Sequence, residues 1–263
     1  MKEMKEIAGP QLAGGHWIWR SRQGPVHVVF AGRGPAHERD EVLRRVAGDA
    51  PEDLAWARQI HSATVLPARA GGCGEGDALW TDRADLALSV ITADCVPVVL
   101  AGPGGIAAVH AGWRGLVNGV ILATLCELPG RLSEWTAWIG PAIGACCYEV
   151  GEEVAAQVVA AAAAGQWDRS ASDPAVAVPG PSGKPHLDLP GVARRQLEAA
   201  GVGKIVWLVR CTQCDEAKLS SYRRNGKRAG RNIAFIWREP EASASPGIPG
   251  DPGRTPAAGR TPR

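Results

Sequence analysis

Short apolar runs rich in β-branched and aromatic residues recur along this chain, and they limit its architecture more than any other feature. They fall at His16–Arg20, Val26–Phe30, Thr64–Pro67, Leu86–Ile91, Val96–Leu100, Ile106–His110, Trp135–Ile139, Ile205–Arg210 and Ile233–Trp237. Runs of that length and composition read as strands. Helical patterns lie between some of them. Glu38–Ala47 is one, and Gly115–Leu128 is another, with Leu116, Val120, Leu125 and Leu128 near one face. Gly151–Ala164 opens with Glu152 and Glu153 at its positive end and stops at Gly165, and Gly191–Ala200 stops at Gly201. Residues 165–190 read as a loop excursion between the last two helices. Strands and helices neither alternate strictly nor segregate. The expected fold is therefore α+β, a single layered α/β domain with mixed sheets and flanking helices.

Residues 1–238 form the expected domain. The segment Glu239–Arg263 holds six Pro and four Gly with almost nothing apolar, so it reads as a disordered tail. Lys+Arg exceed Asp+Glu by 29 − 27 = 2, which gives no general basic excess for nucleic acid. No apolar stretch approaches the ~18 residues of a membrane span. The start, Met1-Lys-Glu-Met-Lys-Glu6, has no apolar segment behind it and does not resemble a secretory leader. The seven cysteines are scattered and odd in number, as expected of reduced thiols. Together these features place the chain in the cytoplasm.

Three segments put metal-capable side chains at the ends of apolar strands: Gln59-Ile-His61-Ser, Thr92-Ala-Asp94-Cys95-Val-Pro97 and Val109-His110-Ala-Gly112-Trp113-Arg114-Gly115. One Cys and two His supply the three protein ligands of an open zinc site, whose fourth position accepts the reacting group. The spacing alone also permits a hydrogen-bonded His and a buried Cys with no metal between them. Cys211-Thr-Gln-Cys214 has C-x-x-C spacing but no accompanying second pair, and it follows a strand. The glycine-rich stretch Trp138–Gly151 joins a strand to a helix, and reads as an anion-binding loop or a plain connection. Between Tyr222 and Arg231, Arg223, Arg224, Lys227, Arg228 and Arg231 form a basic loop. It reads either as a solvated surface or as a clamp for phosphate or carboxylate.

Taken in order, QIHSATV, VITADCVPVVL, AVHAGWRG, WIGPAIGACCYEVGEEV, CT and SYRRNGKRAGRNIAFIW resemble the YfiH/YlmD family, also called laccase-domain or multicopper polyphenol oxidase-like proteins. The resemblance spans roughly residues 55–238. It implies a purine nucleoside phosphorylase acting on adenosine, inosine and methylthioadenosine, with adenosine deaminase activity. It also implies a zinc ion held by His61, Cys95 and His110, with copper as the other metal the family label names. The loop after Arg33 is shorter than the family pattern, and Lys218-Leu-Ser-Ser-Tyr222 stands where the family often has a Phe pair.

On that basis the expected partners are purine nucleosides and inorganic phosphate. Arg33, Arg223 and Arg224 are the expected phosphate ligands. Asp94, beside Cys95, is expected to orient a ligand or move protons. Two other readings stand beside this one. The first is a peptidoglycan-precursor editing hydrolase with Cys95 as a nucleophile activated by His110. The second is a zinc-stabilised binding module without catalysis, against which three protein ligands rather than four argue. A blue-copper site of two His, one Cys and an axial Met is not available in the body of the chain, because the only methionines are Met1 and Met4.

Overall fold

The central strands are apolar at nearly every position because both of their faces are covered. In Val96–Gly102, Val96, Val98 and Leu100 face one core while Val99 and Ala101 face another. In Asn232–Arg238, Ile233, Phe235 and Trp237 alternate in the same way with Ala234 and Ile236. Such strands have no solvent face, so they read as continuous apolar runs rather than alternating ones.

The computed structural model describes residues 7–161 and 176–240. Chain order is β1 (Ala8–Ala13), β2 (His16–Gln23), β3 (Val26–Ala31), α1 (Arg39–Val46), β4 (Asp53–Arg58), β5 (Val65–Pro67), β6 (Gly71–Glu75), β7 (Ala78–Thr81), β8 (Leu86–Thr92), β9 (Val96–Gly102) and β10 (Gly105–Ala111). There follow α2 (Trp113–Val117), α3 (Val120–Glu127), β11 (Thr136–Ile139), α4 (Glu152–Ala161), β12 (Ala177–Pro179), β13 (Pro185–Leu187), α5 (Leu189–Ala199), β14 (Lys204–Trp207), α6 (Tyr222–Asn225) and β15 (Asn232–Arg238).

Two mixed sheets stack face to face. One has the order β1-β2-β3-β15-β8-β4-β6 and the other β14-β11-β9-β10-β7-β5. Between them lies a core that includes Trp19, Phe30, Leu88, Val99, Ile106 and Trp138. Helix α1 covers the outer face of the first sheet through Val42, Leu43 and Val46. Helices α2, α3, α4 and α5 cover the outer face of the second. The architecture is thus a layered α/β domain with mixed sheets and flanking helices.

Every strand expected from the sequence is present. The additional strands β1, β6, β7, β12 and β13 are edge, short or glycine-rich segments, and β4 (DLAWAR) lies inside the first sheet but carries charges at both ends and only a short apolar stretch. The expected helix Gly115–Leu128 is instead two helices. Gly119 adopts φ 81 between them and caps α3, so the chain turns where the periodicity suggested continuity. Helix α5 begins two residues before the expected Gly191, because the Asp188 carboxylate accepts the Gly191 amide at 3.0 Å and Pro190 occupies the first turn. Residues 162–164 of the expected Gly151–Ala164 helix lie outside the described residues.

The 165–190 excursion is described only from residue 176. That part holds the β12–β13 hairpin and the first residues of α5, and the hairpin docks on the Gly140–Gly151 loop through Leu187 N to Tyr148 O at 3.0 Å and Val150 N to Pro185 O at 2.9 Å. The domain also extends one residue further than expected. Glu239 donates its amide to Pro25 O, and its carboxylate bonds Arg22 and His27. The remainder of the expected tail, beyond Pro240, lies outside the described residues.

Candidate metal centre

Cys95 and His61 lie at corners where the chain passes from the first sheet to the second. Cys95 sits in the turn between β8 and β9, and His61 in the connection from β4 to β5. His110 is near the end of β10, in phase with Ile106 and Ala108, so its ring points between the sheets and is 3% exposed. The three sequence-distant segments therefore converge. The ligand-capable atoms of His61, Cys95 and His110 all lie within 4.8 Å of one another. Cys95 Sγ is 3.8 Å from His61 Nε2, and the two imidazole rings meet edge to face at 4.9 Å.

Asp77, which was not singled out in the sequence, organises this trio. Its buried carboxylate accepts the backbone amides of Ile60 (3.2 Å), His61 (3.0 Å) and Ser62 (2.6 Å), together with the Ser62 hydroxyl at 2.8 Å. It also takes His110 Nδ1–H at 2.8 Å, which leaves His110 Nε2 free to ligate. Burial opposes the carboxylate charge. The His110 and Ser62 hydrogen bonds outweigh it and hold Asp77 at about 2. Without a metal, burial disfavours a charged His110, yet Asp77 and Cys95 push it up to about 9. Burial likewise opposes a Cys95 thiolate, and His110 and His61 nonetheless bring it down to about 7. Without a metal, Cys95 and His110 thus each favour the other's charged form.

Among the described residues, His61 (φ 61) and Asp94 (φ 98) are the non-glycine residues with positive φ, and both belong to this centre. Such conformations persist where surrounding contacts over-determine them. At His61 those contacts are the three amides gripped by Asp77. At Asp94 the carboxylate takes the Thr212 hydroxyl and the Arg223 amide, each at 2.6 Å, while the Asp94 carbonyl accepts Ile143 N at 2.9 Å. Asp94 therefore ties the Cys95 turn to the loops after β11 and β14. Gln59 adds a further tie, since its side-chain amide pairs with both the N–H and the C=O of Ile91 and prolongs the β4–β8 ladder towards the site.

The residues fit a metal ion. Two nitrogen donors and one sulfur donor converge where His61 is exposed and Cys95 half-buried, and a Cβ on Gly112 would reach 2.9 Å from the His61 ring and 3.2 Å from Cys95 Sγ. Only a glycine leaves the trio room to close. Two imidazoles and one thiolate are donors that both zinc and copper accept.

The three expected phosphate arginines do not converge. Arg223 lies over the Tyr148 ring at 5.1 Å and gives one N–H to Glu149 O at 2.7 Å, leaving the rest of its fork unpaired among the described residues. Tyr148 is on the trio's side of the fold. Its burial, with Cys95 and Asp94 nearby, pushes the phenol up to about 12. Arg224 departs from expectation, because its guanidinium is spent on the carbonyls of Thr212 (2.9 Å), Gln213 (2.8 Å) and Leu219 (2.7 Å). Arg33 bonds Glu216 O and, with Arg224, Lys227, Arg228 and Arg231, lines a separate basic cleft of about 620 Å³ that contains none of the trio. No motif singles out Asp77 in Gly76-Asp77-Ala78, because the strand that follows it is only four residues long.

Residues 36–239 match the family described as multi-copper polyphenol oxidoreductase laccase. A purine nucleoside phosphorylase of Deinococcus radiodurans is 40% identical over 207 residues, covering 77% of this chain and 77% of its own. The purine nucleoside phosphorylase YfiH of Escherichia coli is 34% identical over 215 residues, covering 80% and 84%. The crystal structure of YlmD from Geobacillus stearothermophilus aligns with a TM-score of 0.73 at 26% identity, over 89% of this chain and 99% of that one. No helix among the described residues is long and apolar enough to cross a membrane.

Proposed function

The chain belongs to the multi-copper polyphenol oxidoreductase laccase family, the YfiH/YlmD proteins, and from that premise we propose that it is a zinc-dependent purine nucleoside phosphorylase. The proposed substrates are adenosine, inosine and methylthioadenosine together with inorganic phosphate, and the deamination of adenosine is its proposed second reaction. The convergence of His61, Cys95 and His110, with no fourth protein ligand beside them among the described residues, carries this reading, alongside relatives that bear the phosphorylase name.

His61, Cys95 and His110 would hold the metal. When bound, a zinc ion there supplies Lewis acidity, the property that lets water ionise near neutral pH. In phosphorolysis a phosphate oxygen forms a bond to the anomeric carbon as the bond from that carbon to the purine nitrogen breaks. The electron pair leaves with the base, which takes up a proton. The protein's part is to hold phosphate and sugar in line and to protonate the departing purine. Arg223, with its fork partly free and its plane stacked on Tyr148, is the proposed phosphate contact. Tyr148 keeps its proton at neutral pH and offers a hydroxyl donor on the same side. Asp94 acts as a positioning residue through Thr212 and Arg223 N. Arg33 and Arg224 shape the neighbouring loop.

The closeness of Cys95 to His110 and His61, which lowers the thiol and raises His110 in the metal-free state, favours one second reading, a cysteine hydrolase. A thiolate committed to a metal is a poor nucleophile, so the two readings differ in their response to a chelator. Incubation with inosine or adenosine, with and without phosphate, followed by product identification, tests the assignment. The expected products are free base and a ribose phosphate, formed only with phosphate and metal present. Failure to cleave any purine nucleoside with zinc bound at the trio would overturn it.

A further inference from the structure

The C-x-x-C pair that looked solitary in the sequence has a partner pair in space. Cys146 and Cys147, in the loop between β11 and α4, face Cys211 and Cys214, in the loop after β14. All four sulfurs lie within 4.8 Å of one another. Cys146 Sγ is 3.7 Å and Cys147 Sγ 3.4 Å from Cys214 Sγ. With Zn–S bonds of about 2.3 Å, the edge of a tetrahedral tetrathiolate is ~3.8 Å. A disulfide needs sulfurs at about 2.05 Å and pairs only two of them. All seven cysteines are free thiols.

We propose that Cys146, Cys147, Cys211 and Cys214 form a second metal site, a four-thiolate structural centre for zinc or a similarly soft divalent cation, separate from the His61–Cys95–His110 trio. The backbone is already arranged for it. Gly144 N–H donates to Cys211 Sγ at 3.3 Å, and the amides of Gln213 and Cys214 also point at that sulfur. N–H donors aimed at one sulfur stabilise thiolate, and thiolate is the form that binds metal. Cys147 N and Tyr148 N both close turns onto Gly144 O, which brings the adjacent Cys146 and Cys147 towards the same centre. Gly144 has no Cβ, and one built there would stand 3.3 Å from Cys146 Sγ. Four protein ligands leave no open position, the mark of a structural rather than catalytic centre.

The location explains what such a centre would do. Thr212, between two of the cysteines, donates to Asp94, and Ile143 N, just before the other pair, donates to the Asp94 carbonyl. The two clamped loops are therefore the ones that hold the strained turn next to Cys95. Closing them with a metal fixes the wall of the first site without contributing to its chemistry.

The test counts metal on the full chain purified under reducing conditions, by elemental analysis, for the parent, Cys214→Ser and His61→Ala. The parent should hold two equivalents and each variant one. Cobalt-substituted parent and His61→Ala should both show the strong thiolate-to-cobalt charge transfer of a four-sulfur site, and Cys214→Ser should lose it. Equal metal content in parent and Cys214→Ser would overturn the proposal, as would a mass showing a disulfide among the four cysteines. If Cys214→Ser does not fold, the cobalt spectrum of the parent still decides: one thiolate per metal refutes the site. Because His61→Ala reports the trio separately, failure here is distinct from failure of the phosphorylase reading.

Discussion

Replacing Gly112 with alanine separates metal binding from folding. Gly112 has φ −72 and ψ 167, a conformation open to any residue, so the backbone accepts the change. Alanine lowers the entropy of the unfolded chain by the equivalent of about 0.4–1 kcal/mol, and it is a poorer helix N-cap than glycine by a similar amount. The net effect on metal-free stability is thus within about 1 kcal/mol. The Cβ, however, would lie 2.9 Å from His61 Cδ2 and 3.2 Å from Cys95 Sγ, where ordinary contacts begin at 3.4 Å. The His61 ring must retreat by about half an ångström, while metal–ligand distances tolerate roughly 0.2 Å. Asp77 holds the His61 backbone at 3.0 Å, so the ring can retreat only by turning about its own side-chain bonds. Zinc affinity should fall by about 10–100-fold, the usual range for disturbing the support of a ligand. Competition against a chromophoric chelator measures the affinity, and thermal melting in excess chelator measures the fold. Affinity within twofold of the parent would refute the assignment of the trio, and a large loss of metal-free stability would refute the separation argued here.

Asp77→Asn should cost about 3 kcal/mol or more in chemical denaturation and weaken zinc binding by about 10–100-fold. It leaves amide donors facing the amide donors of Ile60 and Ser62 and removes the charge partner of His110. Arg223→Ala should raise the phosphate concentration for half-maximal phosphorolysis about ten- to a hundredfold, the equivalent of a charge-assisted contact of roughly 1.5–3 kcal/mol, with little change in melting temperature. Arg224→Ala should do the reverse, lowering stability because the Thr212, Gln213 and Leu219 carbonyls lose their shared donor, and equal effects of the two variants would undo the distinction. Chelation that empties the trio, checked by metal content to leave the four-cysteine metal in place, should abolish nucleoside cleavage while circular dichroism of the layered sheets persists; unfolding with that metal still bound would favour the binding-module reading.

The core strands and the residue types of the trio were legible in the residues for different reasons. Strands such as β9, β10 and β15 are covered on both faces, so they carry a dense apolar signal at every position. The trio was legible as residue types in ordered motifs, although separations of 34 and 15 residues between its members left the spacing silent on their meeting. Contact between them is decided by two crossings between the sheets, which bring the β4–β5, β8–β9 and β10 ends to one corner. Asp77 was illegible because its role is to accept backbone amides, and backbone amides carry no sequence signature. The same holds for Arg224, since a guanidinium spent on carbonyls reads like any other cation in a basic loop. The four-cysteine cluster shows the limit most plainly. Cys146-Cys147 and Cys211-x-x-Cys214 are two unremarkable pairs until the parallel pairing of β11 with β14 sets their following loops side by side. The sequence alone determines composition, apolar layering and the residue types available for chemistry. Only the tertiary structure determines which of those types meet, because side chains far apart in the chain are brought within bonding distance by strand order and crossings, which local residue patterns do not encode.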